Sequence, residues 1–215
     1  MERFFALTMT DVLPDDMAFD RLASIADLAS ECGHLSRICV RNDSRNPDRF
    51  SEAAAIAADT EFDIILESSD PVCLRDAAAA SGGCTLMVTD GSAVPEASML
   101  SAVLGCPIII PGSDVQELMD NAETAETYGA SEILLNPAVR NMKSCLEINT
   151  DVHRLHAEHG VDLAGRPIVT RVWSGEYALS VASVSVMRYG TGVILDDLDP
   201  EGCRVLDALM SVEKT

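Results

Sequence analysis

The sequence predicts a (β/α)8 barrel, and three observations carry that expectation. Eight short apolar runs alternate with eight helix-like stretches along 215 residues, near the lower end of the size range for such a barrel. The connections are tight, with no long linker. Several runs (IIL, LMV, III, ILL, VIL) are apolar without alternation, as strands buried on both faces are. Eight parallel strands close into a barrel filled by side chains. A doubly wound open sheet is the alternative that the same pattern leaves. Residues 1–215 are expected to form a single domain.

Each element has a local cause. Phe4 to Met9 is an apolar run closed by Thr10–Asp11, the first strand. Asp16 to Cys32 carries apolar residues at 17, 19, 22, 25, 26, 28 and 29, a helical stripe that Gly33 stops. Leu35 to Val40 is the second strand, ending in Arg41–Asn42–Asp43–Ser44–Arg45. Pro47 then opens a helix through Asp59, as proline does in a first turn. Phe62 to Leu66 is the third strand, with Glu67–Ser68–Ser69–Asp70 behind it and a helix from Pro71 to Ala80. Cys84 to Val88 and Thr89–Asp90–Gly91–Ser92 precede a helix from Pro95 to Leu104. Pro107 to Ile110 is the fifth strand, and Pro111–Gly112–Ser113–Asp114 leads into a helix reaching Tyr128. Ile133 to Leu135 ends in Asn136–Pro137, followed by a longer helix to about His159.

The stretch Pro167 to Pro200 is a βαβ unit. Pro167 to Val172 is a strand with Trp173–Ser174–Gly175–Glu176 at its end. Tyr177 to Arg188 is an apolar helix, and Tyr189–Gly190 reads as its stop. Gly192 to Leu195 is the last strand, followed by Asp196, Asp197 and Asp199. Pro200 to Val212 is the final helix, with Glu213, Lys214 and Thr215 behind it. Ligands meet such folds at the carboxyl ends of the strands. The rim is therefore expected to collect Asp11, Asn42, Asp43, Glu67, Ser68, Asp90, Ser113, Asn136, Arg171, Trp173, Glu176, Asp196 and Asp197. Some are helix caps: Ser69 or Asp70, and Ser113, fit that role, and Asp11 and Asp90 fit it equally well.

Composition narrows the function. Hydrophobic residues make up 47% and charged residues 23%, a globular balance. The net charge of −20 excludes a nucleic-acid backbone as ligand, because no basic stripe exists to displace counterions. Solvated helix surfaces account for the acidity. No apolar run reaches membrane-spanning length and no leader pattern opens the chain, so a cytoplasmic protein is expected. The seven cysteines show no CxxC spacing and read as reduced core thiols of a reducing, anaerobic cell rather than metal or cluster ligands. His153, His156 and His159 lie on one helix at i,i+3 steps. That spacing permits a metal site, although a solvated surface is the preferred reading.

No phosphate loop, GxGxxG or GxSxG is present. Asp196, Asp197 and Glu176 suit proton transfer or hydrogen bonding to the N–H groups of a heterocycle, and Trp173 suits stacking on a planar ring. For each residue the packing or capping alternative stands beside these roles.

The wording of the sequence then adds a family resemblance. Pro167–Ile168–Val169–Thr170, Trp173–Ser174–Gly175–Glu176–Tyr177–Ala178, Arg188–Tyr189–Gly190 and Val193–Ile194–Leu195–Asp196–Asp197–Leu198 follow one another as in the family. So do Val40–Arg41–Asn42, Asn46–Pro47–Asp48–Arg49–Phe50, Ile64–Ile65–Leu66, Ser69–Asp70–Pro71 and Leu134–Leu135–Asn136–Pro137. This ordered set, over nearly all of 35–200, resembles the barrel domain of corrinoid iron–sulfur proteins. These are the methyl carriers of the CO dehydrogenase/acetyl-CoA synthase (decarbonylase/synthase) complex, and the match is closest to the large (gamma) subunit.

The resemblance implies a (β/α)8 fold and a role in one-carbon transfer, as a methyltransferase or a subunit of one. It implies a tetrahydropterin bound at the strand ends, or a corrinoid (cobamide) met across an interface with a partner chain. The family's four-cysteine cluster domain and cobamide domain have no counterpart in the sequence, so no iron–sulfur cluster is expected. Related methyltransferase barrels hold a pterin with Asp and Asn at strand ends, which makes Asn136 and Asp196 the candidate catalytic pair. Asn42, Asp43, Asp90, Trp173, Glu176 and Asp197 are the candidate cofactor-binding residues. The expected partner is a corrinoid-bearing protein or a second copy of the chain. A scaffold barrel that kept only its interaction surface is the alternative. A barrel enzyme acting on a small anionic metabolite is disfavoured by the acidic rim and a solitary Arg171.

Overall fold

A computed structural model describes residues 1–212; Glu213, Lys214 and Thr215, which the sequence places after the last helix, lie outside the described residues. Eight parallel strands close in sequence order: β1 (Phe4–Thr10), β2 (Leu35–Arg41), β3 (Asp63–Ser68), β4 (Thr85–Val88), β5 (Ile108–Gly112), β6 (Ile133–Pro137), β7 (Ile168–Val172) and β8 (Gly190–Leu195). The helices between and after them are α1 (Asp15–Ala29), α2 (Pro47–Ala58), α3 (Pro71–Ser81), α4 (Val94–Leu104), α5 (Val115–Thr127), α6 (Met142–His159), α7 (Ala178–Met187) and α8 (Pro200–Ser211). Among the described residues no helix is long and apolar enough to cross a membrane.

The expected elements are present, with informative differences at their ends. Glu67 and Ser68 belong to β3, and Asn136 and Pro137 to β6, because ladder pairing carries each strand past its apolar run. Gly190 is not a helix stop. It opens β8 opposite Ile168, and the turn is made by Tyr189 in the left-handed region at φ 66°. A Cβ on Gly190 would lie 2.5 Å from Ser185 Oγ, so the close crossing of β8 and α7 demands glycine there.

Helix starts follow their caps. Asn46 accepts from the N–H groups of Asp48 and Arg49, Asp70 from Val72, Asp114 from Glu117, and Asp199 from Gly202. Asn141 and Ser144 form a reciprocal box at the head of α6. Asp11 caps no helix; Pro14 occupies the N-cap of α1.

The core has two parts. Phe4, Ala6, Cys39, Ile65, Met87, Ile109, Leu134, Val169 and Ile194 fill the barrel interior, and a larger shell joins the outer sheet face to the helices. Register keeps the interior residues in step: Cys39 pairs with Ile65, Ile109 with Leu134, and Ile194 with Ala6. Because side chains alternate along a strand, residues two positions on also face the axis. Those residues are Arg41, Glu67, Asn136, Arg171 and Asp196, so the strands that build an apolar plug also build a polar layer above it.

Gly112 sits where β5 meets α5, and a Cβ there would lie 2.5 Å from the Leu118 Cα. Its neighbour is backbone and cannot rotate away. Gly112→Ala is expected to lower stability by about 1–3 kcal/mol, read as a lower denaturant midpoint at unchanged slope.

Candidate functional site

The polar layer closes the mouth of the barrel. Arg171 of β7 is 3% exposed and Glu67 of β3 is 1% exposed. The Arg171 Nε lies 3.1 Å from both Glu67 carboxylate oxygens, Nη1 donates to the Val172 carbonyl at 3.0 Å, and Nη2 donates to Asp196 Oδ1 at 2.5 Å. Arg41 of β2 reaches the same Asp196 oxygen at 2.5 Å and holds Asp43 through Nε and Nη2, each at 2.9 Å. Asn136 of β6 accepts the Arg171 backbone N–H at 3.0 Å. Arg171, which the sequence suggested was solitary, is thus one of two guanidinium groups among three carboxylates.

This network fixes the protonation of the carboxylates. Burial alone would raise the Asp196 carboxyl, but the hydrogen bond and charge of Arg171, the Ser174 N–H at 3.0 Å and the charge of Arg41 hold it below the usual range. Asp43 is held low in the same way: burial is outweighed by hydrogen bonds from Arg41 and from Thr10 Oγ1 at 2.6 Å. Beneath them the Cys39 thiol is pushed well up, chiefly by burial and then by the Glu67 charge.

Trp173 stands on this platform. The Arg171 guanidinium carbon lies 4.3 Å from its ring centroid and that of Arg41 5.6 Å, and the residue is 55% exposed. The two cations orient the indole, and more than half of the residue stays open to solvent. The ring borders a groove of ≈ 480 Å3 with Val139, Arg140, Val172, Glu176, Tyr177 and Val181 in its walls. Trp173 is therefore not packed under α7, the packing alternative its position allowed.

The other sequence-predicted residues divide. Asn42 donates from Nδ2 to Ser68 Oγ at 2.9 Å, while its Oδ1 is buried without a partner among the described residues. Glu176 lines the groove. Asp197, with its side chain 70% exposed, pairs with Arg21 Nη1 at 2.8 Å. Asp90 caps a 3-10 turn (Gly91–Ala93) and accepts from the Ser92 N–H at 2.9 Å, away from the Arg171 cluster. Asp11 is a loop organiser: its carboxylate accepts the N–H groups of Asp43 and Ser44 at 2.8 and 2.9 Å. Ser113 bonds Glu117 instead of capping α5.

Arg41 and Arg21 are the residues the rim reading missed. The signal for Arg41 was present, since it follows the interior Cys39 by two. Arg21 lies mid-helix, and only the packing of α1 on β1, the neighbour of β8, brings it to Asp197 and to the Asp196 carbonyl.

Two of the three histidines of α6, His153 and His156, border one cavity, each with its own partner. His153 stacks on Tyr189 with centroids 3.8 Å apart, and His156 Nδ1 approaches the Val161 carbonyl at 3.2 Å. Among the described residues no group of three or more His, Cys, Asp or Glu is placed to hold a metal. Five cysteines are buried and two, Cys84 and Cys106, are half-buried, all as free thiols.

Removing one side of the buried pair strands the other. Arg171→Met is expected to cost about 3–5 kcal/mol in chemical denaturation, and adding Glu67→Met should recover part of that loss. Acid exposes the Asp196 contribution. Its folded-state pKa lies below the unfolded one, so its stabilisation is present above the ordinary carboxylate range and is lost as pH falls through the depressed value. Asp196→Asn should therefore be less stable than wild type at neutral pH, and the gap should narrow in denaturation curves below about pH 4.

The chain resembles known proteins in sequence and in fold. The family described as CO dehydrogenase/acetyl-CoA synthase delta subunit matches residues 5–210. The large subunit of the corrinoid/iron–sulfur protein of Moorella thermoacetica is 25% identical over 138 residues, covering 63% of this chain and 31% of that protein. Subunit gamma of the acetyl-CoA decarbonylase/synthase complex of Methanothermobacter thermautotrophicus is 26% identical over 209 residues, covering 87% of this chain and 45% of that protein. The chain thus spans less than half the length of these relatives. In fold it is similar to a dihydropteroate synthase of Coxiella burnetii solved with pteroic acid, with a TM-score of 0.75, 13% identity, and 98% and 94% of the two chains covered. The match over nearly the whole barrel carries the conclusion: the chain belongs to the CO dehydrogenase/acetyl-CoA synthase delta subunit family.

Proposed function

We propose that this chain, acting as one barrel unit over residues 1–215, serves one-carbon (methyl) transfer in acetyl-CoA synthesis or decarbonylation. Its strand-end rim meets a corrinoid carried by a partner chain, or a tetrahydropterin methyl donor. The observation that carries this reading is Trp173, an exposed indole oriented by two guanidinium groups at the edge of an apolar-walled groove. Family membership and relatives named as subunits of such assemblies support it. Free, mostly buried thiols suit a reducing anaerobic cytoplasm.

The residues fit these groups in different ways. The groove volume lies within the range of small-molecule sites, which supports a pterin-sized bicycle as its ligand. A corrin macrocycle is larger and would lie across the rim with its far side covered by the partner. A bound tetrahydropterin supplies the methyl group on a ring nitrogen, and a corrinoid supplies the cobalt that exchanges it. Either ligand sits above the Arg171–Glu67 layer, which fills the barrel mouth. In this role Trp173 stacks on the planar ring, and Asn136 and Asn42 offer amide groups to its edge. Asp196 stays ionised and accepts hydrogen bonds; a proton for a departing nitrogen comes from elsewhere. Asp43 and Asp197 hold Arg41 and Arg21 in place, Glu176 borders the ligand, and Asp90 stands at the outer rim.

One observation favours a second reading, a non-catalytic scaffold or regulatory barrel. The rim carboxylates Asp43, Asp196 and Asp197 are all engaged by arginines of the chain itself.

Anaerobic titration with methyltetrahydrofolate, methyltetrahydromethanopterin and methylcobalamin separates the two through the fluorescence of the one tryptophan. Saturable quenching that weakens in a folded Asn136→Ala variant is the expected result. No response to any of the three, with a protein partner or a second copy retained on gel filtration, would select the scaffold.

A further inference from the structure

The opposite face of the barrel, where the strands begin, carries among its cavities one of ≈ 360 Å3. It is walled by His153 and His156 of α6, Gly165 and Arg166 ahead of β7, and Tyr189 and Thr191 at the start of β8. No carboxylate lines it, in a chain with 35 Asp and Glu against 15 Lys and Arg. The three other cavities described among these residues each include one: Asp63, Glu176, and Glu2 with Asp63. The local sign of charge is therefore reversed here.

The wall is built in detail. Tyr189 adopts φ 66°, uncommon for a bulky residue, and its ring lies parallel to His153 at 3.8 Å and 8°. A Cβ on Gly165 would stand 2.7 Å from His156 Cε1, so glycine lets that imidazole lie against the chain. The Val161 carbonyl can only accept, so His156 Nδ1 carries the proton of their 3.2 Å contact. Arg166 makes one long contact, Nη2 to Glu126 Oε1 at 3.4 Å, and its Nε is buried without a partner among the described residues.

We propose that this cavity binds a small phosphate-bearing molecule, with Arg166 as the anion's main partner and His153, His156 and Thr191 around it. Arginine's planar fork suits a phosphate, and a metal cation would meet a guanidinium in a cavity lined by no carboxylate, the Glu126 contact to Arg166 lying outside its walls. The site lies on the face opposite the rim and is independent of the methyl-transfer reading.

The test follows the histidine ring resonances of the full chain by NMR at constant pH and ionic strength, adding inorganic phosphate in one series and phenyl phosphate in another. Saturable shifts of His153 and His156 are expected in at least one series. The tighter series tells whether the source is free phosphate or a phosphate monoester. Arg166→Gln should weaken binding by about tenfold or more, the loss of one charge-assisted hydrogen bond. Gly165→Ala should weaken it as well by displacing the His156 ring, and it serves if Arg166→Gln fails to fold. Trp173→Phe on the rim should leave it unchanged. Shifts that chloride reproduces, or that keep their affinity in both Arg166→Gln and Gly165→Ala, would overturn the proposal.

Discussion

A guanidinium buried at the mouth of the barrel governs how this molecule is arranged. Arg171 projects inward from β7, where water is excluded, and an isolated charge there would be untenable. Glu67 answers it from β3, across the barrel, with both carboxylate oxygens 3.1 Å from Nε. The pair ties two distant strands together and caps the apolar plug of Ile65, Leu134, Val169 and Ile194. Its net contribution to stability is modest, because two ions had to leave water. Its structural consequence is larger, since every polar group nearby must accommodate it.

The chemistry of the rim descends from that pair. Arg171 has a donor left for Asp196, Arg41 reaches the same oxygen, and Asp43 balances Arg41. Asp196 and Asp43 are therefore fixed as anions, and Trp173 lies against the guanidinium groups while staying half exposed. A barrel whose mouth is filled in this way offers a platform rather than a deep pocket. A flat ring bound against it would be shared with whatever covers it from above.

One cavity at the strand beginnings differs from the rim in charge as well as in place. At the strand ends Arg41 and Arg171 are shared among the carboxylates of Asp43, Asp196 and Glu67. At the strand beginnings Arg166, His153 and His156 border a cavity without one. Its wall includes the left-handed Tyr189 and Gly165 beneath His156.

The sequence by itself determined the barrel. Unbroken apolar runs make strands covered on both faces, and stripes at helical spacing with Asn46, Asp70, Asp114 and Asp199 at their heads make the helices between them. It also named most of the rim, because polar residues at strand ends are legible in one dimension, and its order of motifs pointed to the family. Only the tertiary structure decided what those residues do. Whether Asp196 is a lone acid or an anchored anion depends on Arg41, 155 positions away, and on Arg171, 25 positions away. Whether Trp173 is buried or open depends on the same two side chains, and Arg21 joins Asp197 only through the packing of α1. Local propensity and periodicity are properties of neighbours in the chain, so a sequence displays them. Charge pairing depends on distances in space, and barrel closure alone brings β2, β3, β7 and β8 within reach of one another.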